Sequence, residues 1–147
     1  MKALLFAIVM LLGGCAYRPA EELVMDPSLS PEQMAAVVVA SDEWCEKAGL
    51  CVPVSVGEDR GVGFVTHRKT CWEGVGARTD QGPYRAPTVT LCDDRDGFLS
   101  VIATHEIGHA LTGDPSHIEE PGHAMSVDNI RAVATVTPED VDWAYAR

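Results

Sequence analysis

Phe98-Leu99-Ser100-Val101-Ile102-Ala103-Thr104-His105-Glu106-Ile107-Gly108-His109-Ala110-Leu111 is the stretch on which the reading of this chain turns. Phe98, Val101, Ile102, Thr104, His105, Gly108, His109 and Leu111 recur at three- and four-residue steps. That period predicts a helix running from about Gly97 to Leu111 with one broad buried face. Gly113-Asp114-Pro115 must end it, because glycine permits a left-handed cap and proline forbids continuation. On such a helix His105 and His109 sit one turn apart on one face, where both imidazoles can share a tetrahedral ion. Glu106 is next to the first of them and can reach a water in the ion's open position. The plainer alternative, two core histidines with no metal, is disfavoured because a chance match to this pattern need not fall on a helix, and this one does.

Two histidines leave a catalytic zinc short of the usual three protein ligands. After the helix stop the chain can turn back and offer a third from Asp114, His117, Glu119, Glu120 or His123. Neutral imidazole suits zinc, and His117 has room to return, so His117 is preferred. His67 lies far from the motif and reads as an ordinary surface histidine.

Working outward, Ser30-Pro31-Glu32-Gln33 reads as a capped helix start, with Ser30 as cap, Pro31 in the first turn and Gln33 closing a capping box. Met34, Val37, Val38, Ser41, Trp44, Cys45 and Ala48 would be its buried stripe, and Gly49 its stop. Cys51–Val56, Val62–Thr66 and Thr88–Cys92 read as strands, whereas Arg68 to Pro87 reads as an irregular loop stapled at Cys71. Asp93, Asp94 and Asp96 would serve as an N-cap with favourable charge at the next helix; a Ca2+ site there is the less favoured reading. Thr137-Pro138-Glu139-Asp140 starts a last helix with Val141, Ala144 and Tyr145 facing inward.

The N-terminus looks like an export signal over residues 1–14: Lys2, then a short apolar run from Ala3 to Leu12. Leu12-Gly13-Gly14-Cys15 resembles a bacterial lipobox, which implies cleavage before Cys15 and acylation of its sulfur. Residues 15–29 are then expected to tether a single domain, 30–147, to the membrane, with a short strand at Leu23–Met25. Ala16 after the cysteine favours the outer membrane, facing the periplasm or the cell surface. Cys45, Cys51, Cys71 and Cys92 would make two disulfides in an exported chain; Cys45–Cys51 and Cys71–Cys92 are preferred because each closes a local loop. A formal net charge of −11 argues against a nucleic-acid partner. A monomer acting on a peptide or protein substrate is expected.

The helix from Phe98 to Leu111 resembles the active-site helix of metzincin zinc metallopeptidases, the matrixins above all, whose pattern is HExxHxxGxxH followed by a Met-turn. Here His117 follows His109 by eight residues where the family has six, an apparent insertion of two. Past it the register recovers: Pro121-Gly122-His123-Ala124-Met125-Ser126 resembles the Met-turn, and Met125 follows His117 by eight residues, as in matrixins. Asp140, Val141 and Tyr145 match the matrixin C-terminal helix. No matrixin-like cysteine switch precedes the domain, and no tyrosine closely follows Met125.

The resemblance implies an α+β fold: a twisted, mostly parallel mixed sheet packed on two long helices, with a small C-terminal part ending in a helix. It also implies one catalytic Zn2+ on His105, His109 and His117, Glu106 as general base, and Met125 as an apolar floor beneath the metal. Substrate would pair with an edge strand, supplied by Thr88–Cys92 or the loop before it. Two other readings stay open: a non-catalytic lipoprotein using this fold for binding or assembly, and a gluzincin-type peptidase with Glu139 as third ligand.

Overall fold

The computed structural model describes residues 17–70, 76–93, 96–127 and 132–146. Leu23-Val24-Met25, three buried apolar residues in a row, form β1 (Leu23–Met25) inside the sheet. A strand buried on both faces needs such a continuous apolar run. The expected tether is therefore corrected. Its second half is core, and the backbone is already hydrogen-bonded into the domain from Arg18, whose N–H donates to Gly82 O at 3.2 Å.

Helix α1 (Pro31–Ala48) follows, and its start is the anticipated capping box, with Ser30 and Gln33 each bonding the other's backbone N–H. It buries Val37, Ala40, Ser41, Trp44 and Ala48 and stops at Gly49. Val38, expected inside, is exposed, and Met34 and Cys45 are only half-buried. Cys45 and Cys51 form the predicted disulfide across the turn after α1. The other predicted pair involves Cys71, which lies outside the described residues.

Strands β2 (Val54–Val56) and β3 (Phe64–Arg68) run parallel to β1 on either side of it. β4 (Ala77–Gly82) and β5 (Arg85–Cys92) form an antiparallel hairpin, and β5 lies parallel to β3. The sheet order is β2-β1-β3-β5-β4, mixed and mostly parallel. Two expectations change here. Ala77–Gly82 falls in the stretch read as irregular, and Thr88–Cys92 is interior, so the edge on this side of the sheet is β4. Its polar sequence, Ala-Arg-Thr-Asp-Gln-Gly, carries no apolar run or alternation because only Ala77 is buried and the rest of the strand is partly exposed.

A 3-10 turn at Asp96–Phe98 leads into α2 (Leu99–Thr112), and α3 (Pro138–Tyr145) closes the chain. The N-cap of α2 is Phe98, with no side-chain cap bond, in place of the expected aspartate; Phe98 itself is exposed. Asp93 turns away from α2, accepting from Gln33 Nε2 at 2.9 Å and bonding His67 Nδ1 at 2.9 Å. Asp94 lies outside the described residues.

Helices α1 and α2 pack together around Trp44, which is fully buried and donates Nε1–H to Thr104 O at 2.8 Å. Removing a buried Trp side chain costs about 3–5 kcal/mol. Gly108 makes the approach possible. A side-chain carbon there would meet Met125 Sδ at 2.5 Å and Trp44 Cζ2 at 2.6 Å. The result is an α+β domain with α2 held between sheet, α1 and the loop that carries Met125.

Candidate metal centre

Helix α2 is buried along almost its whole length, and His105, Glu106 and His109 are buried with it. Helix periodicity alone aligns His105 and His109; their rotamers are fixed from outside. His105 Nδ1–H donates to Ala124 O at 2.8 Å, and His109 Nδ1–H donates to Asp114 O. With both protons on Nδ1, each Nε2 presents a lone pair.

The segment after α2 brings in the third imidazole. Gly113, with φ 68°, donates its N–H to His109 O and turns the chain. The apparent insertion then folds on itself: Thr112 Oγ1 bonds Gly108 O at 2.8 Å and accepts from Asp114 N at 3.1 Å, and Asp114 Oδ1 accepts from Ser116 N at 2.7 Å. Trp143 of α3 donates Nε1–H to Ser116 Oγ at 3.0 Å. Beyond His117, Ile118 N–H donates to Met125 O at 2.8 Å and Val127 N–H to Ile118 O at 2.9 Å. His117 is thus clamped between the insertion and the Met125 turn.

The three Nε2 atoms lie 3.2 Å (His105–His109), 3.1 Å (His109–His117) and 3.2 Å (His105–His117) apart. Imidazole nitrogens bound tetrahedrally to one zinc at about 2.0–2.1 Å would be roughly 3.3 Å apart. Lone pairs aimed at one point repel unless a cation sits between them. The three histidines form the group among the described residues that could hold a metal ion. Burial pushes all three imidazoles toward their neutral forms, His109 down to about 3 with help from the neighbouring histidines, so they are ready to ligate at neutral pH.

Met125 is fully buried under Gly108. Asp140, also fully buried, holds that turn. It accepts from Ala124 N at 2.9 Å and Met125 N at 2.8 Å, while its Oδ2 caps α3 through Thr137 N at 2.8 Å. One carboxylate therefore ties α3 to the turn that orients His105.

Glu106 faces the cleft from α2. Thr79 of β4 donates its hydroxyl to Glu106 Oε2 at 2.6 Å. Burial pushes the Glu106 carboxyl up to about 7, against the lowering effect of the Thr79 hydrogen bonds. The cleft, about 340 Å³, has β4 residues Arg78, Thr79 and Gln81 on one wall and His117 and Val127 on the other.

The remaining candidates are elsewhere. His123 Nδ1 bonds Thr137 Oγ1 at 2.9 Å, and exposed Glu139 lies 3.9 Å from the same nitrogen. Glu119 and Glu120 are exposed, and Asp114 serves through its carbonyl and its turn bond. His67 is not an ordinary surface residue. Its Nδ1 bonds Asp93 and its Nε2 meets Ser28 Oγ at 3.1 Å, clasping the turn after β1 to β3 and to the end of β5. Thr79, Asp140 and Trp143 were not singled out as site residues from the sequence. Asp140 alone had a signal, its match to the matrixin helix.

Compared with known proteins, the chain matches no family model and no curated relative.

Proposed function

We propose that this protein is a zinc-dependent metalloendopeptidase of metzincin type. The observation that carries the reading is the convergence of three Nε2 atoms to 3.1–3.2 Å beside a buried glutamate in a cleft walled by an edge strand. His105, His109 and His117 would hold the ion. A bound zinc supplies a lowered water pKa and a polarised scissile carbonyl.

The chain's own residues do the rest. Glu106 takes a proton on its carboxylate from the attacking water and returns it to the leaving amine. Its carboxyl, poised at about 7, can hold that proton and release it near neutral pH. Thr79 keeps Oε2 engaged and so fixes the carboxylate's plane, leaving Oε1 for the water. The outer edge of β4 offers backbone N–H and C=O groups to an extended substrate, which supports a peptide over a small ester or amide. The lipobox-like Leu12-Gly13-Gly14-Cys15 supports export and acylation, so the site would work in the bacterial envelope.

Zinc content of the purified chain, with hydrolysis of an unstructured protein such as casein before and after chelation, tests the reading. We expect hydrolysis that chelator abolishes and zinc restores. Bound zinc with no hydrolysis of any peptide would overturn it in favour of a binding role.

A further inference from the structure

We propose that the end of the molecule bearing the cleft docks on a lipid bilayer surface, through Tyr17, Tyr84 and the flanking arginines, so that the site works on membrane-proximal chain segments. The proposal rests on acylation of Cys15, the envelope part of the function given above.

Chain length limits where the anchor can lie. Tyr17 follows Cys15 by two residues, and two extended residues reach at most about 7 Å. From there the chain is pinned to both sides of the cleft. Arg18 N–H donates to Gly82 O at 3.2 Å, at the end of β4, and Ala20 N–H donates to Ala110 O at 2.8 Å, beside His109. The Tyr17 carbonyl packs on Gly113 so closely that a side-chain carbon there would be 2.6 Å away. Gly113 is four residues past His109, about 6 Å along the helix axis. An anchor on Cys15 would therefore join the domain at this end, only two residues before a segment pinned beside the cleft.

The surface at this end fits the same placement. Tyr84, at the tip of the β4–β5 hairpin, is 92 % exposed, and Tyr17 is 37 % exposed. Among the described residues, nothing covers the Tyr84 ring. Tyrosine prefers the boundary between headgroups and acyl chains, with its ring toward the apolar side and its hydroxyl in water. Exposed Arg85 flanks Tyr84, and Arg18, paired with Glu21 at 2.7 Å, flanks Tyr17. These guanidinium groups suit lipid phosphates. On a chain of net charge −11, Arg85 gives this end a local positive charge for approach to anionic headgroups, while the charge of Arg18 is offset by Glu21.

The test uses the full chain purified from bacterial membranes, its acylation read by mass spectrometry, in phosphatidylethanolamine–phosphatidylglycerol vesicles with brominated acyl chains. Tyr84→Trp places a reporter at the hairpin tip. Val56→Trp places one on β2, at a position 54 % exposed and at the opposite edge of the sheet. The two edges are four strand spacings apart, about 19 Å. We expect bromolipid to cause about a twofold loss of the emission that the hairpin-tip reporter adds over the unsubstituted chain, with the emission added by the β2 reporter unchanged. Equal emission from the hairpin-tip reporter with and without bromine would overturn the proposal, as would burial of that reporter against a second copy of the chain. A mass without acyl groups would overturn it too, through its premise. None of these outcomes bears on peptide hydrolysis, so failure of the docking surface is distinguishable from failure of the peptidase reading.

Discussion

Replacing Asp140 by alanine should cripple both stability and metal binding, although Asp140 touches no metal ligand. The carboxylate is fully buried and accepts from Ala124 N, Met125 N, Thr137 N and Thr137 Oγ1 at 2.8–2.9 Å. Deleting it leaves the Ala124 and Met125 amides buried without an acceptor, at about 1–3 kcal/mol each. Loss of the α3 cap adds about 1 kcal/mol. The sum, about 3–7 kcal/mol, is a large share of the stability of a domain this size. The peptide group between Ala124 and Met125, which loses its N–H partner, presents Ala124 O to His105 Nδ1 at 2.8 Å. Zinc affinity should therefore fall by about 10–100-fold, as when other partners of metal-bound histidines are lost. Urea unfolding of chelator-treated protein gives the first quantity, and competition with a zinc chelator the second. A stability loss below about 1 kcal/mol with unchanged zinc affinity would refute this reasoning.

Other outcomes follow from neighbouring contacts. Thr79→Val removes the hydroxyl that donates to Glu106 Oε2 and should lower kcat by about tenfold with KM little changed, while Thr79→Ser restores it. A change confined to KM, or no rescue by serine, would argue against a positioning role. Trp143→Phe keeps a ring between Trp44 and His109 but deletes the bond to Ser116; zinc affinity should drop about fivefold, for one lost hydrogen bond of about 1 kcal/mol, as measured by chelator competition. Metal-free protein should lose stability in acid. The His109 pKa lies below its ordinary value, so the folded form resists a proton that the unfolded chain accepts. That contribution is whole above pH 6.5 and is lost as pH falls toward about 3. His109 alone should cost about 2 kcal/mol between pH 7 and pH 5, measured by urea unfolding, and a flat profile would contradict its burial as a neutral imidazole.

What could be read from the sequence was mostly local. The two helix histidines and Glu106 follow from a four-residue spacing, and the starts of α1 and α3 from capping residues within one turn. β1 showed as three apolar residues, but its interior place in the sheet depends on pairing with Val54–Val56 and Phe64–Val65 far along the chain. β4 escaped notice because an edge strand needs no apolar alternation, and Thr79 went with it. Asp140 looked like an ordinary acidic residue in the first turn of a helix. Its burial is decided by the Met125 turn, fifteen residues earlier. His67 and Asp93 are separated by 26 positions and meet only because β3 and β5 pair in parallel register. The two extra residues before His117 could not be judged from spacing alone. The loop closes through Thr112, Asp114 and Ser116, and through a tryptophan from α3 that nothing in the local sequence announces.

The central claim is that Glu106 moves the proton in a zinc-dependent peptide hydrolysis. Its most direct test is the turnover of Glu106→Gln loaded with zinc beside the unsubstituted chain. We predict that the variant keeps about one zinc per chain, since Glu106 is not a ligand, and loses activity by about 100- to 10,000-fold. Hydrolysis retained at the unsubstituted rate, with the metal in place, would contradict it.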